Sequence, residues 1–288
     1  MRLVHRKLLR WYETSGRPLP WRKTRNPYKI LVSEIMLQQT QVSRVLQHYP
    51  RFIKKYPNFH SLSRVGVAEV LRAWRGLGYN NRAVRLLNLA RTVDGLHEGI
   101  LPRSIEHLRS LPGIGHYTAH AIACFAFGAK VPVVETNIGR VLARLFPSRQ
   151  NVWETAGRIL PPRRVFEWNQ GLMDLGALIC TPHLPDCGHC PLRDLCPTAH
   201  RVVRPAMKKR KEPGRNGIPN RIYRGKIIEV LRNRNGRGSI AAERLGSLIK
   251  PDFSVRDRIW LRGLLRSLEK DGLVRVGRWR GGVSVSFP

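Results

Sequence analysis

Four of the five cysteines fall in one stretch, Cys180, Cys187, Cys190 and Cys196, spaced C-x6-C-x2-C-x5-C. Short loops with such spacings let four thiolates converge on one centre, as zinc or an iron–sulfur cluster requires, and the thiols alone leave the two metals level. Disulfides are disfavoured in a reducing compartment. Cys124 lies in the apolar run AIACFAFG and reads as a small core residue. Two carboxylates also stand out. Glu34 lies in VSEIMLQQTQV, one turn before Gln38, and Ile35, Met36 and Leu37 beside it leave little wet surface, which suits a cavity-facing carboxyl. Glu135 sits where VPVV meets a helix starting near Asn137, a position that carboxylates commonly occupy as caps.

The segment IEHLRSLPGIGHYTAHAIA reads as helix, tight turn, helix. Pro112 stops the first helix, and Gly113 and Gly115 permit turn conformations closed to other residues. The second helix, starting near His116, offers unpaired backbone N–H groups and a positive dipole end to an anion. The composition suggests which anion. The chain has 288 residues, with 52 Lys and Arg against 19 Asp and Glu, a formal net charge of +33. So much positive charge points to a polyanionic partner, nucleic acid before any other. At 42% hydrophobic, with seven Trp, eight Phe and seven Tyr, the chain folds rather than forming a basic tail.

Helices must position these residues. Leu31, Ile35, Val42, Val45, Leu46 and Tyr49 recur at spacings of three and four, which predicts a core-facing helix through 28–56. Further helical stretches follow near 67–74, 80–93, 104–111, 117–128, 136–146, 151–159 and 163–179. Nothing before residue 200 alternates with period two, so an all-α body is expected. No window approaches 18 apolar residues, which predicts no membrane span, and the charge-interrupted start MRLVHRKLLRWYETSG does not read as a secretory signal. A cytoplasmic, nucleoid-associated monomer is expected.

LPGIGHYT, an acidic residue about 20 positions beyond it in VVETNIGRVLAR, then GLMDLGALIC and the cysteine cluster, resemble the endonuclease III superfamily of helix-hairpin-helix DNA glycosylases. LPWR (19–22), PYKILVSEIMLQQTQV (27–42) and GLGY (76–79) are most similar to the MutY-type adenine glycosylases. The resemblance covers roughly residues 10–200. It implies a six-helix barrel over 20–130, an iron–sulfur domain built from 1–19 and 131–200, and DNA held in the cleft between. It also implies a [4Fe–4S] cluster on the four cysteines.

Breaking an N-glycosidic bond leaves positive charge on the sugar and negative charge on the departing base, so an acid and a fixed anion are needed. By resemblance, Glu34 protonates the purine and Glu135 takes the place of the family's sugar-facing Asp. Arg17, Leu19, Trp21, Arg22 and Asp174 match positions around the adenine pocket. Gln38 or Gln39 fills the gap left by the flipped base, Tyr79 and Asn80 follow on the same DNA-facing side, and Gly113, Gly115, His116 and Thr118 form the hairpin that grips the backbone. Tyr117 stands where strand-cutting members carry a Schiff-base Lys, which implies a monofunctional enzyme. Double-stranded DNA with a mispaired or damaged base is the implied partner, most simply adenine opposite guanine or 8-oxoguanine. Removal of thymine or uracil opposite guanine, removal of a modified base, and a non-catalytic iron–sulfur DNA-binding regulator are the alternatives.

Three departures mark the chain. Glu135 is one methylene longer than Asp, and Asn80 follows Tyr79 where the family usually has a second Tyr. The third is the C-terminus. In place of a Nudix-like domain, a basic connector (201–218) leads to residues 219–288, read as helix (221–232), helix (240–249), helix (256–270) and two short strands around Gly277–Gly282. That order resembles a winged helix, with Arg256, Arg258, Arg262 and Arg266 along the third helix. Residues 201–288 hold 23 Lys and Arg against 7 Asp and Glu, so this end is also able to face phosphate.

Overall fold

The apolar run from Ile30 to Met36 is buried along its whole length, as expected of a helix without a polar face. It belongs to a computed structural model that describes residues 1–147, 151–201, 212–234, 238–279 and 282–288. The described helices of the first two thirds are α1 (Arg2–Ser15), α2 (Pro27–Leu37), α3 (Val42–Lys55), α4 (Phe59–Ser63), α5 (Val67–Ala73), α6 (Asn81–His97), α7 (Ile105–Ser110), α8 (His116–Phe125), α9 (Thr136–Leu145), α10 (Val152–Arg158) and α11 (Val165–Leu178). The C-terminal region holds β1 (Gly214–Arg215), β2 (Ile218–Pro219), α12 (Asn220–Asn233), β3 (Ile240–Ala241), α13 (Ala242–Ile249), α14 (Arg258–Lys270), β4 (Arg275–Trp279) and β5 (Gly282–Ser286).

The chain divides into two compact units, each drawn from separate stretches: Met1–Glu34 with Leu101–Lys208, and Ile35–Ile100 with Lys209–Pro288. In the first unit α11 lies against α1 and α9, which the glycines of GLMDLGALIC permit. A Cβ on Gly176 would stand 2.7 Å from Asn137 Cβ and 2.9 Å from its carbonyl oxygen, so any side chain there would push α9 away. Leu8, Ile138, Val141, Leu142, Trp168, Leu172 and Leu175 form the core of this unit.

In the second unit α6 lies against α4 and α5. The three helices and the final hairpin expected of the C-terminal region are present, but the helix expected over 240–249 starts only at Ala242, because Ile240–Ala241 forms β3. Its sheet runs β3-β5-β4, all antiparallel, with Val285 of β5 between Ile240 and Val276. Two further features have no counterpart in the sequence reading. β1 and β2 form a small hairpin ahead of α12. Asp257, 4% exposed, accepts from Lys250 Nζ at 3.0 Å and Arg215 Nε at 2.9 Å, and these bonds hold its carboxyl well below the usual range. Arg256 falls in the 3-10 turn before α14 rather than on the helix, while Arg258, Arg262 and Arg266 are on it and exposed. The tip of the expected wing, 280–281, and the positions 202–211 of the connector lie outside the described residues.

The single helix expected over 28–56 is two helices. The chain breaks at Gln38–Gln41, with Gln39 at φ 55°, and Leu46 points to solvent. Arg82, 5% exposed, explains the break. Its Nη1 donates to the carbonyls of Ile35, Met36 and Gln38, acceptors that the end of a helix leaves unpaired. Its Nη2 donates to Thr40 Oγ1 and to the carbonyls of Leu77 and Gly78. One guanidinium thus ties the turn after α2 to the turn before α6. Arg82→Met would strand several buried carbonyls and is expected to cost at least about 3 kcal/mol, with Arg82→Lys recovering less than half because an ammonium cannot span the fork. Urea unfolding monitored by circular dichroism reads the difference.

Candidate active site

Glu34 occupies the last full turn of α2, 6% exposed and without a charged partner in hydrogen-bond contact among the described residues. Tyr117, from the first turn of α8, donates its hydroxyl to Glu34 Oε2 at 2.7 Å. Burial raises the Glu34 carboxyl to about 7, the Tyr117 bond and the Arg22 charge pull it down, and the nearby Glu135 carboxylate adds to the rise. The same burial and the same two carboxylates push the Tyr117 phenol well above its ordinary value, so it remains a donor. A carboxyl poised near neutrality is suited to giving up a proton.

Glu135 is the N-cap of α9. Its Oε2 accepts from Asn137 N at 2.7 Å and its Oε1 from Ile138 N at 2.9 Å. The cap expected from sequence is therefore present: two N–H groups at a helix N-terminus fix a partly exposed carboxylate close enough to act on Glu34. The sequence placed both carboxylates correctly as local structure, but only the fold shows that they feel each other.

Asp174 of α11, fully buried, gathers the N-terminal segment. Arg22 binds it through Nη1 to Oδ2 at 2.6 Å and Nη2 to Oδ1 at 2.8 Å, and Arg17 through Nε to Oδ1 at 2.7 Å and its backbone N to Oδ2 at 2.9 Å. Burial would raise this carboxyl, yet the two arginines outweigh it and hold it low, as bidentate charge-assisted bonds do. The clamp anchors the turn that carries Leu19 and Trp21, 5% and 6% exposed. Arg22 Nε is buried and has no hydrogen-bond partner.

The hairpin lies between α7 and α8. Gly113 has φ 82°, as expected. Gly115 does not need its glycine for backbone freedom, since its φ is −86° and a Cβ there would meet open space. Thr118 is 3% exposed, so it packs inside rather than reaching outward, whereas His116 is exposed and its ring meets Trp153 at 4.2 Å. In the second unit, Gln39 and Tyr79 are exposed at positive φ, while Gln38 and Asn80 are half-buried.

Cys180, Cys187, Cys190 and Cys196 line one cavity of about 30 Å3 and form no disulfide. Among the described residues no three His, Cys, Asp or Glu side chains are placed to hold a single metal ion. Donors nevertheless aim at the sulfurs: Arg144 Nη1 lies 3.2 Å from Cys180 Sγ and the His200 backbone N 3.4 Å from Cys187 Sγ. Burial, with the neighbouring thiols, pushes Cys190 up to about 11. No described helix is long and apolar enough to cross a membrane.

Residues 32–159 match the family described as the HhH-GPD superfamily of base excision DNA repair proteins. An adenine DNA glycosylase of Mycolicibacterium smegmatis is 39% identical over 280 residues, which cover 93% of this chain and 91% of that protein. One from Mycobacterium tuberculosis is 41% identical over 239 residues, covering 78% and 77%. The chain belongs to the adenine DNA glycosylase family. The share covered in the M. smegmatis protein reaches into the C-terminal region, so that protein has a counterpart of it. Among solved structures, a thermostable thymine-DNA glycosylase matches with a TM-score of 0.66 and 34% identity over 70% of this chain and 97% of that one. A non-covalent endonuclease III–DNA complex matches at 0.61 and 26%, over 69% and 95%.

Sequence reasoning missed Arg82. A signal was present, because Arg82, Leu86, Leu89 and Val93 share one helical stripe, and a charge on an apolar stripe is either buried with partners or an error of register. The raised Glu34 carboxyl also carries a stability consequence. The folded state holds the proton up to about 7 and the unfolded chain releases it near 4.5, so stability is lost as pH rises between them, on the order of 3 kcal/mol. Glu34→Gln, which mimics the protonated acid, should therefore melt higher than the native chain above pH 7, and the two should converge below pH 4.5. Thermal unfolding across that range checks it.

Proposed function

We propose that this chain removes adenine from mispairs in double-stranded DNA by hydrolysis, with Glu34 as the acid and Glu135 as the anion. The observation that carries the reading is the buried Glu34 carboxyl, hydrogen-bonded by Tyr117 and raised to about 7. As the C1′–N9 bond breaks, its electron pair moves onto the base and the Glu34 proton passes to the purine ring, so that a neutral base departs. Glu135, anchored by two backbone N–H groups, faces the positive charge left on the sugar and takes the proton of the water that adds at C1′. Tyr117 orients the Glu34 carboxyl and, having no amine, forms no Schiff base, so the product is an abasic site. The Asp174 clamp keeps Leu19 and Trp21 in place as walls of the base pocket.

The four cysteines suit a [4Fe–4S] cluster in donor chemistry: four thiols around one cavity, with N–H donors aimed at two sulfurs. Cys180, Cys187, Cys190 and Cys196 would hold it, and when bound it would supply a rigid, charged loop structure rather than a step of the hydrolysis. The domain reading, with a cluster domain over 1–19 and 131–200, a barrel over 20–130, a connector over 201–218 and a winged-helix-like domain over 219–288, remains part of this proposal. So do the roles of Gln38, Gln39, Tyr79 and Asn80 beside the flipped base, of Gly113, Gly115 and His116 at the backbone, a monomeric state and a cytoplasmic, nucleoid-associated setting.

Single-turnover cleavage of duplexes with A, T, U or hypoxanthine opposite G or 8-oxoguanine, followed by alkali, tests the reading. Adenine release is expected to fall 10²–10⁴-fold, roughly, in Glu34→Gln, to vanish in Glu135→Gln and to persist in Glu135→Asp. The rate should drop above about pH 7 as Glu34 ionises, and Tyr117→Phe should move that limb to higher pH by removing a bond that favours the carboxylate. Release of thymine in place of adenine would instead favour the activity named for the thymine-DNA glycosylase neighbour. If the exposed Arg262 and Arg266 meet phosphate, replacing both with Gln should flatten the slope of log affinity against log salt by roughly 0.9 per lost contact, measured by fluorescence anisotropy.

A further inference from the structure

One face of α3 carries His48, Arg51 and Lys55, three and then four residues apart. They line a cavity of about 480 Å3 together with Arg72 from the last turn of α5 and Arg75 just beyond it. Its walls therefore hold four full positive charges and an imidazole. Like charges so close oppose the elements that carry them, and the cluster needs compensation. Two carboxylates supply part of it. Glu69 accepts from Lys55 Nζ at 3.0 Å, and Glu229 accepts from Arg75. Arg51 and Arg72 are exposed, and neither makes a hydrogen bond or an ion pair among the described residues. Arg72 feels Glu69 through space without touching it.

The imidazole is a second, independent observation. His48 is half-buried, and the backbone of Gly76, at φ 90°, lies so close to it that a Cβ there would stand 2.8 Å from both Cε1 and Nε2. The ring is held in place, yet neither of its nitrogens has a hydrogen-bond partner among the described residues. Burial first, then the charges of Arg51 and Arg44, keep its proton affinity below the ordinary value. Two guanidinium forks without acceptors and a positioned ring N–H match one chemistry. A phosphate presents several acceptor oxygens and carries up to two negative charges, and guanidinium forks bind such oxygens through parallel bonds. A carboxylate, with one charge, would satisfy one fork and leave the other open.

We propose that Arg51, Arg72 and His48 form an anion site for a phosphate group. The two guanidinia bind its oxygens and His48 donates a ring N–H to it, while Lys55 and Arg75, already paired, hold the rim. The site is built from α3, α5 and the residues after α5, all within the second unit. A backbone group of bound DNA and a free polyphosphate present the same oxygens, so the chemistry is shared and the source is a matter for measurement. Nothing in the site depends on which base is released, and its failure would leave the glycosylase reading untouched.

Calorimetric titration of the full chain with inorganic pyrophosphate at low salt tests the site directly. Arg51→Gln/Arg72→Gln is expected to weaken binding at least about tenfold, the loss of one bond between charged groups. Arg6→Gln/Arg10→Gln removes the same charge from exposed positions of α1 and should leave affinity within about twofold of the native chain. Both pairs are exposed, so the fold is retained. Bound pyrophosphate should also move the His48 titration to higher pH, followed by NMR and assigned with His48→Gln, because an adjacent anion favours the imidazolium. Arg44 and Arg51 from its own helix, and Arg72 and Arg75 across the cavity, stay cationic throughout, so the anion alone changes the balance. Fluorescence anisotropy with duplex DNA separates the sources. A backbone phosphate would flatten the slope of log affinity against log salt in Arg51→Gln/Arg72→Gln by roughly 0.9 per lost contact relative to the α1 control, and a free polyphosphate would leave the two slopes equal. Equal slopes together with equal pyrophosphate affinity in all three chains would overturn the proposal, as would a His48 titration that bound pyrophosphate leaves unmoved.

Discussion

One buried guanidinium decides where α2 ends. Arg82 satisfies the carbonyls that the last turn of that helix leaves open, and in doing so it fixes the turn beyond it and the turn that leads into α6. Because α2 stops there, Glu34 sits in a final turn that is buried through Met36, and Gln39 emerges into solvent three residues later. A helix running on to Tyr56, as the apolar spacing alone suggests, would have carried Gln38 and Gln39 along its side and presented no turn. The positions of Glu34 and Gln39 thus follow from a cation that bonds the backbone around them and neither of their side chains.

The second constraint is electrostatic. Glu34 is raised because it is dry, Glu135 is anchored as a helix cap, and Asp174 is held low by two arginines. Two buried carboxyl groups of one unit, Glu34 and Asp174, are therefore driven in opposite directions by their surroundings. General acid chemistry needs such separation, since a pair with equal affinity for protons could not divide the roles of donor and anion.

Much of this was legible in the chain. The helical periods, the Pro-Gly turn before α8, the cysteine spacing and the junction at Glu135 are local signals, and local signals survive in sequence. What escaped depends on partners far apart along the chain. The break after α2 needs Arg82, more than forty residues later. The Asn80 side chain bonds Arg232, 152 residues away, instead of capping its own helix. The small hairpin before α12 and the Lys250–Asp257 pair had no periodic signature. Thr118 was placed in the DNA-gripping hairpin by resemblance, but its side chain packs inside. For Gly115 the backbone angle gives no reason for glycine at all.

The interleaving of the two units fixes an order of events during synthesis. All residues of the first unit have been made once the chain reaches position 208, so the carboxyl groups, the arginine clamp and the cysteines can find one another early. The second unit cannot close then, because its first stretch, Ile35–Ile100, waits for residues beyond 209. In that interval the middle of the chain is a long loop tethered at both ends to a finished body, which shortens the search for its late partner by confining it. The surface that α12 will cover stays open until residues 220–233 have been made.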